Sequence, residues 1–277
     1  MAQGRQVVRF EDKVVVITGA ANGIGASIAE AFHERGVRAV ALLDIDFEQV
    51  ARRASTLGQR AFAVRCDVSD ENSIQQALAT VIQRVSKIDV YISNAGVLGR
   101  PGGFDLSDDV WSRMWQVHGM AHVWAARAVV PTMLERGEGY FVVTASAAGL
   151  LNIVESAPYG VTKHAAVAFA EWLKIAYGRQ GLRVSCICPQ LVDTGLVSEG
   201  QAASAGMDGL LSPRAVADEL LRTMAEESFL CLPHPEVADY VQAKAQNLER
   251  WFGGMQRLRA AFVERSNGAS PGGRQPS

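Results

Sequence analysis

Residues 14–25 read VVVITGAANGIG, an apolar run followed by a glycine-rich turn. The run at 14–17 predicts a buried strand, and the apolar side chains that recur at helical spacing after the turn predict a helix ending near Gly36. Gly19, Gly23 and Gly25 therefore lie between a strand and a helix. In that context glycines permit a tight turn, a close approach of the backbone to a diphosphate, and close helix–strand packing. A purely structural turn is the alternative.

The same alternation of apolar runs and helical patterns continues to residue 188. The run at 39–43, apolar throughout, is typical of a strand that is buried on both faces. Strands are predicted at 14–17, 39–43, 61–66, 88–93, 140–145 and 183–188, and helices near 46–57, 71–86, 107–136 and 157–179. This order predicts an α/β fold, a Rossmann-type doubly wound parallel sheet of about seven strands with helices on both faces.

The pattern changes after Pro189. Residues 190–211 are mostly small or polar and too many for an ordinary connection, so we interpret them as a substrate loop. A helix near 213–227, a strand at 229–232 and a charged helical segment at 236–265 follow. The tail at 266–277, rich in Gly, Pro and Ser, is expected to be disordered. Since no repeat or interior linker divides the chain, we expect a single nucleotide-binding domain over residues 1–265.

The composition is that of an ordinary globular protein. The chain has 277 residues and a net charge of −2, which disfavours nucleic acid as a partner. The first residues lack the apolar core of a signal peptide, and residues 139–154 are too interrupted by polar groups to span a membrane. The four cysteines show no metal-ligand spacing and are expected to be buried, reduced thiols. We therefore expect a cytoplasmic protein with no membrane partner and no bound metal.

Asp44 ends the second predicted strand, 19 residues after Gly25. A carboxylate there can accept hydrogen bonds from both ribose hydroxyls of NAD, and it repels the additional phosphate of NADP. Ala21 places no cation in the turn to receive that phosphate, and Asp46 adds negative charge nearby. These residues predict NAD as the cofactor. The alternative is that Asp44 only caps the helix that begins near Asp46.

Tyr159 and Lys163 are one turn apart in a predicted helix, so their side chains share a face. A free phenol loses its proton at about pH 10, which is too high for a base at neutral pH. A neighbouring ammonium, together with the positive charge of an oxidised nicotinamide, is expected to lower the pKa of the Tyr159 hydroxyl. Ser146 follows the fifth predicted strand and can hydrogen-bond the same substrate oxygen. Taken alone, the Tyr–Lys pair would more often be an exposed helix pair.

These motifs occur together in a fixed order. The turn at 18–25 is followed by Asp67, Asn94-Ala95-Gly96, Ser146, Tyr159-Gly160-Val161-Thr162-Lys163 and Pro189-x-x-Val192-x-Thr194. In this combination, and with Tyr159 placed 13 residues after Ser146, the chain resembles the short-chain dehydrogenase/reductase family over about residues 10–265. The resemblance implies an NAD-dependent oxidoreductase that interconverts a secondary alcohol and a ketone by hydride transfer.

The resemblance also implies a role for each motif residue. Tyr159 would be the general acid and base, Ser146 would orient the substrate, and Lys163 would bind the nicotinamide ribose and lower the tyrosine pKa. Asp44 would hold the adenosine ribose and Asp67 the adenine amino group. The other implied cofactor-binding residues are Gly19, Asn22, Gly23, Ile24 and Gly25 in the turn, Val68 beside the adenine, Asn94, Ala95 and Gly96 after the fourth strand, and Val192 and Thr194 at the carboxamide.

Two positions depart from the family pattern. The family usually has an asparagine seven residues beyond a tryptophan in the long helix, where it is thought to hold a water that links the lysine to solvent; here Trp111 leads to His118. We interpret His118 as a catalytic substitute in that proton relay, since imidazole titrates near neutrality, with a packing histidine as the alternative. The usual Pro-Gly before the substrate loop reads Pro189-Gln190. Glutamine there would be strained if the site requires a positive φ, and would narrow the pocket.

The residues that flank the reacting groups are mostly apolar. They predict a medium-sized apolar alcohol or ketone, with plain core packing as the alternative; they are Val97, Leu98, Ala147, Leu150, Leu151, Leu196 and Val197.

A non-catalytic NAD-binding sensor or scaffold of the same fold is the alternative function, and an epimerase or dehydratase is a second. Apolar residues on two sides of the helices near 107–136 and 157–179 need a second partner, and the resemblance implies a homotetramer packed through them.

Overall fold

The computed structural model describes residues 10–194 and 208–268. Residues 195–207, which include Leu196 and Val197 of the predicted substrate loop, lie outside the described residues, as does the predicted tail from residue 269. The last helix continues through Gly268, so the first three residues of that predicted tail are helical.

Seven parallel strands form one sheet. They are β1 Val14–Thr18, β2 Ala39–Asp44, β3 Ala61–Arg65, β4 Val90–Ser93, β5 Gly139–Thr144, β6 Leu182–Ile187 and β7 Leu230–Cys231. Their order across the sheet is β3-β2-β1-β4-β5-β6-β7, which confirms the predicted doubly wound arrangement. From β1 the sheet first grows outward to β2 and β3, and from β4 it grows in the opposite direction to β7. At this switch point between β1 and β4, the carboxyl ends of the strands leave a crevice in which ligands bind.

Helices cover both faces of the sheet, as predicted. They are α1 Gly23–Glu34, α2 Phe47–Leu57, α3 Glu71–Val85, α4 Asp108–Trp115, α5 Ala121–Glu135, α6 Ala148–Leu151, α7 Ala157–Tyr177, α8 Pro213–Ala225, α9 Glu236–Gln246 and α10 Leu248–Gly268. One face packs on α1, α2 and α8 through residues such as Phe32 and Leu220. The other packs on α3, α5 and α7 through residues such as Val129 and Ala170. In the described part of the chain, no helix is long and apolar enough to cross a membrane.

Three local features differ from the predicted elements. The helix predicted over 107–136 contains a π-helical turn, Gln116–Met120, between α4 and α5. The segment predicted as one helix over 236–265 is broken at Asn247, whose backbone is extended (φ −154°, ψ 94°). The short helix α6 was not predicted. Neither of the first two breaks contains a proline, a strong local sign of a helix end, so the sequence does not mark them.

The third glycine of the turn allows α1 to pack closely on β1. An ideal Cβ at Gly25 would lie 2.2 Å from the carbonyl oxygen of Gly19 and 2.6 Å from Asn94 Nδ2. Because the nearest atom belongs to the backbone, we expect Gly25→Ala to lower the free energy of unfolding by about 3 kcal/mol in urea titrations. Gly178→Ala is the matched control, since its Cβ meets nothing within 4 Å. Equal stability of the two variants would contradict this packing.

Candidate active site

Asn94 ties together the carboxyl ends of three strands. Its Nδ2 donates to the carbonyl of Thr18 (2.9 Å), and its Oδ1 accepts from Thr144 Oγ1 (3.1 Å). The hydroxyl of Thr18 in turn accepts from the amides of Asn94 (2.9 Å) and Ala95 (3.1 Å). The side chain of Asn94 is thus a brace between β1, β4 and β5, and it holds the backbone of Ala95 against the glycine-rich turn.

The glycine-rich turn leads into a helix end without a side-chain cap. Asn22 is the N-cap residue of α1, but its side chain makes no capping hydrogen bond. Asp46, Asp70 and Ser212, by contrast, each accept a hydrogen bond from a first-turn amide of α2, α3 and α8. The first-turn N–H groups of α1, which include that of Ile24, are therefore left for another acceptor, and the helix dipole favours an anion there.

The segment after β6 lies against the same turn. Gly23 has φ +55°, and an ideal Cβ on it would lie 2.8 Å from the Cβ of Thr194. Val192, two residues earlier, is buried and forms a bridge with Leu211. The structure thus brings Thr194 next to the glycine-rich turn, although the two are far apart in the sequence.

Asp44 is held by two backbone amides. Its Oδ2 accepts from Ala21 N and its Oδ1 from Asp46 N, each at 3.0 Å. The alternative that Asp44 is the helix cap is wrong, because Asp46 itself caps α2 through Gln49 N. Each oxygen of Asp44 keeps a second lone pair with which to accept from a ligand hydroxyl.

Sequence reasoning missed an arginine beside the same turn. Arg53 Nε donates to the carbonyl of Ala21 (2.9 Å), and its guanidinium pairs with Glu30 (2.7 Å). This cation lies within α2, and only the fold brings it to the turn, so no local pattern signals it. Because the guanidinium binds both Glu30 and the carbonyl of Ala21, Arg53 ties α2 to α1 and to the turn.

Asp67 follows β3, at the same edge of the sheet. Its Oδ1 accepts from the amide (2.9 Å) and the hydroxyl (2.7 Å) of Ser69. Burial pushes the pKa of Asp67 upward, but these two hydrogen bonds outweigh it and leave the pKa below its ordinary value. The carboxylate is therefore ionised and oriented. Val68 beside it is half-buried and packs on the core under α3.

Lys163 is a buried ammonium at the centre of the crevice. Only 4% of the residue is exposed, and its Nζ donates to the carbonyl of Thr144 at 3.1 Å. Burial lowers the pKa of Lys163 to about 8. The same Nζ lies 5.6 Å from the centre of the Tyr159 ring, so the predicted shared face of α7 brings the two groups together.

Ser146 and Tyr159 complete this cluster. Ser146 Oγ accepts from Ala148 N (3.1 Å) and donates to Pro189 O (3.4 Å), and it lies close enough to the Tyr159 hydroxyl to lower the pKa of that group. Burial raises the pKa of the Tyr159 hydroxyl, although the nearby hydroxyl of Ser146 opposes this. The protein without nicotinamide therefore holds Tyr159 protonated at neutral pH, and the lowering expected with an oxidised nicotinamide bound stays a prediction.

His118 lies in the π-helical turn and is fully buried. Its Nε2 accepts from the amide of Val97 (3.1 Å), and its Nδ1 lies 3.2 Å from Thr162 Oγ1. Burial first, and then the charge of Lys163, holds the pKa of His118 well below its ordinary value. The expected titration near neutrality is wrong. With both ring nitrogens engaged, the predicted relay role of His118 also disagrees with the geometry, since neither nitrogen is free to hold a water.

Gln190 clamps the segment after β6 to α9. Its Nε2 donates to Asp208 Oδ2 (2.7 Å), and the hydroxyl of Tyr240 donates to Asp208 Oδ1 (2.9 Å). The amide of Gln190 donates to His234 Nδ1 (3.2 Å). Gln190 does not adopt a positive φ, so the strain considered from the sequence is absent.

The predicted substrate-flanking residues divide into two groups. Ala147 and Leu151 are buried in a small core cluster with Val237, so the plain packing alternative holds for them. Leu98 is 41% exposed, and Val97 and Leu150 are half-buried. Across the described ranges 10–194 and 208–268, no group of three or more His, Cys, Asp or Glu residues is placed to hold a metal ion.

The buried charge of Lys163 predicts a stability gain on its removal. Its pKa falls from 10.5 to about 8 on folding, so the ammonium disfavours the folded state at neutral pH by roughly 3 kcal/mol. We expect Lys163→Met to raise the free energy of unfolding at pH 7 by up to that amount, less the lost bond to Thr144 O. The gain should shrink as the pH rises from about 8 to 10.5, where the folded lysine is already neutral.

Urea unfolding at pH 7 and at about pH 10 measures this difference. Lys174→Met, on the exposed side of the same helix, is the matched control and should change stability little at either pH. A variant that is less stable than the native chain at both pH values would contradict the buried-charge interpretation.

The comparisons with known proteins agree with this geometry. The family model described as short chain dehydrogenase matches residues 13–204. The chain is 35% identical over 231 residues to 1-deoxy-11-beta-hydroxypentalenate dehydrogenase of Streptomyces exfoliatus, covering 80% of this chain and 83% of that protein. It is 31% identical over 228 residues to estradiol 17-beta-dehydrogenase 11 of Mus musculus, covering 80% and 75%.

A solved structure shows the same likeness. A short-chain dehydrogenase/reductase from Burkholderia phymatum in complex with NAD superposes with a TM-score of 0.79 at 28% identity, covering 87% of this chain and 96% of that one. The L-sorbose reductase of Gluconobacter frateurii, complexed with NADPH and L-sorbose, gives a TM-score of 0.74 at 25% identity, covering 82% and 97%. Both nicotinamide cofactors therefore occur among the structural neighbours. The chain belongs to the short-chain dehydrogenase/reductase family, and its relatives are oxidoreductases.

Proposed function

We propose that this protein is an NAD-dependent dehydrogenase that interconverts a secondary alcohol and a ketone. The observation that carries the proposal is the cluster of Tyr159, Ser146 and buried Lys163 at the carboxyl edge of the sheet, beside the glycine-rich turn. An acid–base hydroxyl, a second hydroxyl and an ammonium converge there, and this set suits proton transfer to and from a substrate oxygen.

The residues of the crevice fit a dinucleotide. The uncapped first turn of α1 supports a diphosphate, since its N–H groups and dipole suit an anion. The carboxylate of Asp44 supports a ribose diol, and the ammonium of Lys163 has two N–H bonds beyond the one to Thr144 O with which to hold a second ribose. The position of Thr194 next to Gly23 supports a contact with a carboxamide.

In this proposal the protein handles the proton. The nicotinamide, when bound, supplies or accepts the hydride at the substrate carbon. Ser146 and Tyr159 hold the substrate oxygen between them. Tyr159, protonated in this structure, gives its proton to that oxygen when a ketone is reduced, and takes one from it as the phenolate when an alcohol is oxidised.

The substrate is proposed to be apolar and of medium size. Val97, whose amide bonds to His118 beside Tyr159, and the 41% exposed Leu98 next to it support an apolar surface near the cluster. Two relatives carry the names of a hydroxypentalenate dehydrogenase and an estradiol dehydrogenase, which is compatible with an alicyclic or steroid-like alcohol.

A homotetramer remains part of the proposal. It is supported by apolar side chains that are exposed on α4 and α7, among them Trp115 (41%), Trp172 (53%) and Ile175 (82%). A second copy that packs on these helices would remove this surface from water.

The acid–base role of Tyr159 predicts the outcome of its replacement. Tyr159→Phe keeps the ring and deletes the hydroxyl, so we expect turnover to fall by about 100-fold or more while NADH binding changes little. NADH absorbance, followed against a panel of apolar secondary alcohols, measures turnover, and NADH fluorescence measures binding. Tyr177→Phe, five turns further along α7, should behave as the native protein does. Unchanged turnover in Tyr159→Phe would refute the role, and a native protein that binds NADH but oxidises or reduces nothing would favour the non-catalytic sensor.

The cofactor preference is tested at Asp44. Asp44→Ala removes an acceptor for the ribose hydroxyls and a negative charge, so we expect kcat/KM for NAD to fall about 10- to 100-fold and the discrimination against NADP to shrink. Asp46→Ala removes the same charge two residues away; it should cost about 1 kcal/mol of stability as a lost helix cap and keep the preference for NAD. Equal rates with NAD and NADP in the native protein would overturn this assignment.

A further inference from the structure

His118 connects three parts of the active site. It stands in the π-helical turn, its Nε2 accepts from the amide of Val97 in the segment after β4, and its Nδ1 meets Thr162 on α7. Thr162 lies between Tyr159 and Lys163 on that helix. The rings of His118 and Tyr159 meet edge to face, with their centres 5.5 Å apart and their planes at 87°.

These contacts determine which ring nitrogen carries the proton. A backbone amide can only donate, so Nε2 of His118 must accept from Val97 with its lone pair. The Thr162 hydroxyl donates its hydrogen to the carbonyl of Pro158 at 2.7 Å, which leaves its lone pairs to accept. His118 therefore donates from Nδ1 to Thr162 and is neutral, with one proton on Nδ1.

The groups around the ring oppose a second proton. An ideal Cβ on Gly96 would lie 3.4 Å from His118 Nε2 and 3.7 Å from Lys163 Nζ, so these two nitrogens border the same piece of backbone. The other titratable groups near the ring are Tyr159 on α7 and His122 on α5. A proton on Nε2 would break the bond to Val97 and place a second positive charge beside the ammonium of Lys163.

We propose that His118 is a positioning residue: its imidazole, neutral and protonated on Nδ1, sets the segment 96–97 at a defined distance from the catalytic helix and steadies the ring of Tyr159. It acts as a rigid spacer between a backbone donor and a hydroxyl acceptor, and it transfers no proton. The inference rests on the proposed function, because the position of Tyr159 and of the segment after β4 matters only if substrate and cofactor bind there.

Nitrogen NMR of protein labelled at histidine tests the protonation state directly. The chain has five histidines, and the signal absent from His118→Gln identifies that of His118. We expect a neutral ring with its proton on Nδ1 and no change in its shifts between about pH 5.5 and 7, where an ordinary histidine titrates and Lys163 keeps its charge. A signal that titrates near neutrality, or a ring protonated on Nε2, would overturn the proposal.

Two variants test the positioning itself. His118→Phe keeps a ring and removes both hydrogen bonds, whereas Thr162→Val keeps the side-chain shape and removes one. In each we expect NADH binding to weaken and kcat to fall by about tenfold or more, with the shape of the pH–rate profile unchanged. The effects should be less than additive in the double variant, because both remove the same bond. His118→Gln keeps one donor and one acceptor and should recover part of the loss.

The control and the remaining outcomes separate this inference from its rivals. His164 lies on α7, the helix of Thr162, but its side chain bonds to the carbonyl of Gly160 and not to His118. His164→Gln should therefore leave NADH binding and kcat as they are. Folded His118→Phe and Thr162→Val proteins with native NADH affinity and kcat would refute the positioning role. A pH–rate profile that loses an ionisation in His118→Phe would restore the relay instead. If the native protein turns over no alcohol, the proposed function fails, while the NMR and NADH-binding readouts still decide the role of His118.

Discussion

The buried ammonium of Lys163 is the constraint around which the site is organised. A charge that is 4% exposed needs acceptors, and among the described residues the carbonyl of Thr144 is the one within hydrogen-bond distance. The same charge, added to burial, keeps its neighbours neutral: the pKa of His122 falls to about 3, and that of His118 lies well below its ordinary value. Burial first, and then this cation, thus keeps the surrounding histidines neutral, and the ammonium keeps N–H bonds for a ligand oxygen.

This cation is held at a fixed point because the strand ends beneath it are tied together. Thr144 offers its carbonyl to Lys163 and its hydroxyl to Asn94, and Asn94 reaches across to Thr18. This bridge is possible because β1 and β4 are neighbours at the switch point. Gly19 lies so close to Ala95 that a Cβ added to Gly19 would be 2.8 Å from the Ala95 Cα. The glycine-rich turn and the ammonium therefore belong to one hydrogen-bonded unit, although they lie far apart in the sequence.

The sequence predicts those parts of the structure that depend on local patterns. Apolar runs, the placement of the glycines and the spacing of Tyr159 and Lys163 predict the sheet, its helices and the shared face of α7. The features it misses depend on contacts between distant residues. Gln190 has its partner in Asp208, and burial of His118 moves its pKa away from neutrality; neither is visible in a local window. The π-helical turn escapes for a different reason, because the apolar residues around it continue the helical pattern without a gap.

The pKa of Tyr159 bears on the direction of the proposed reaction. Burial raises it, and the nearby hydroxyl of Ser146 only partly opposes this, so the protein by itself holds a protonated acid. That form suits the donation of a proton to a ketone. Oxidation of an alcohol needs the phenolate, and a second positive charge near the ring would favour it, as an oxidised nicotinamide provides. On this account the protein alone keeps Tyr159 as the protonated acid, and an oxidised nicotinamide favours its phenolate, which is the base. The protonation state of Tyr159 therefore matches the form of the cofactor that each direction of hydride transfer needs.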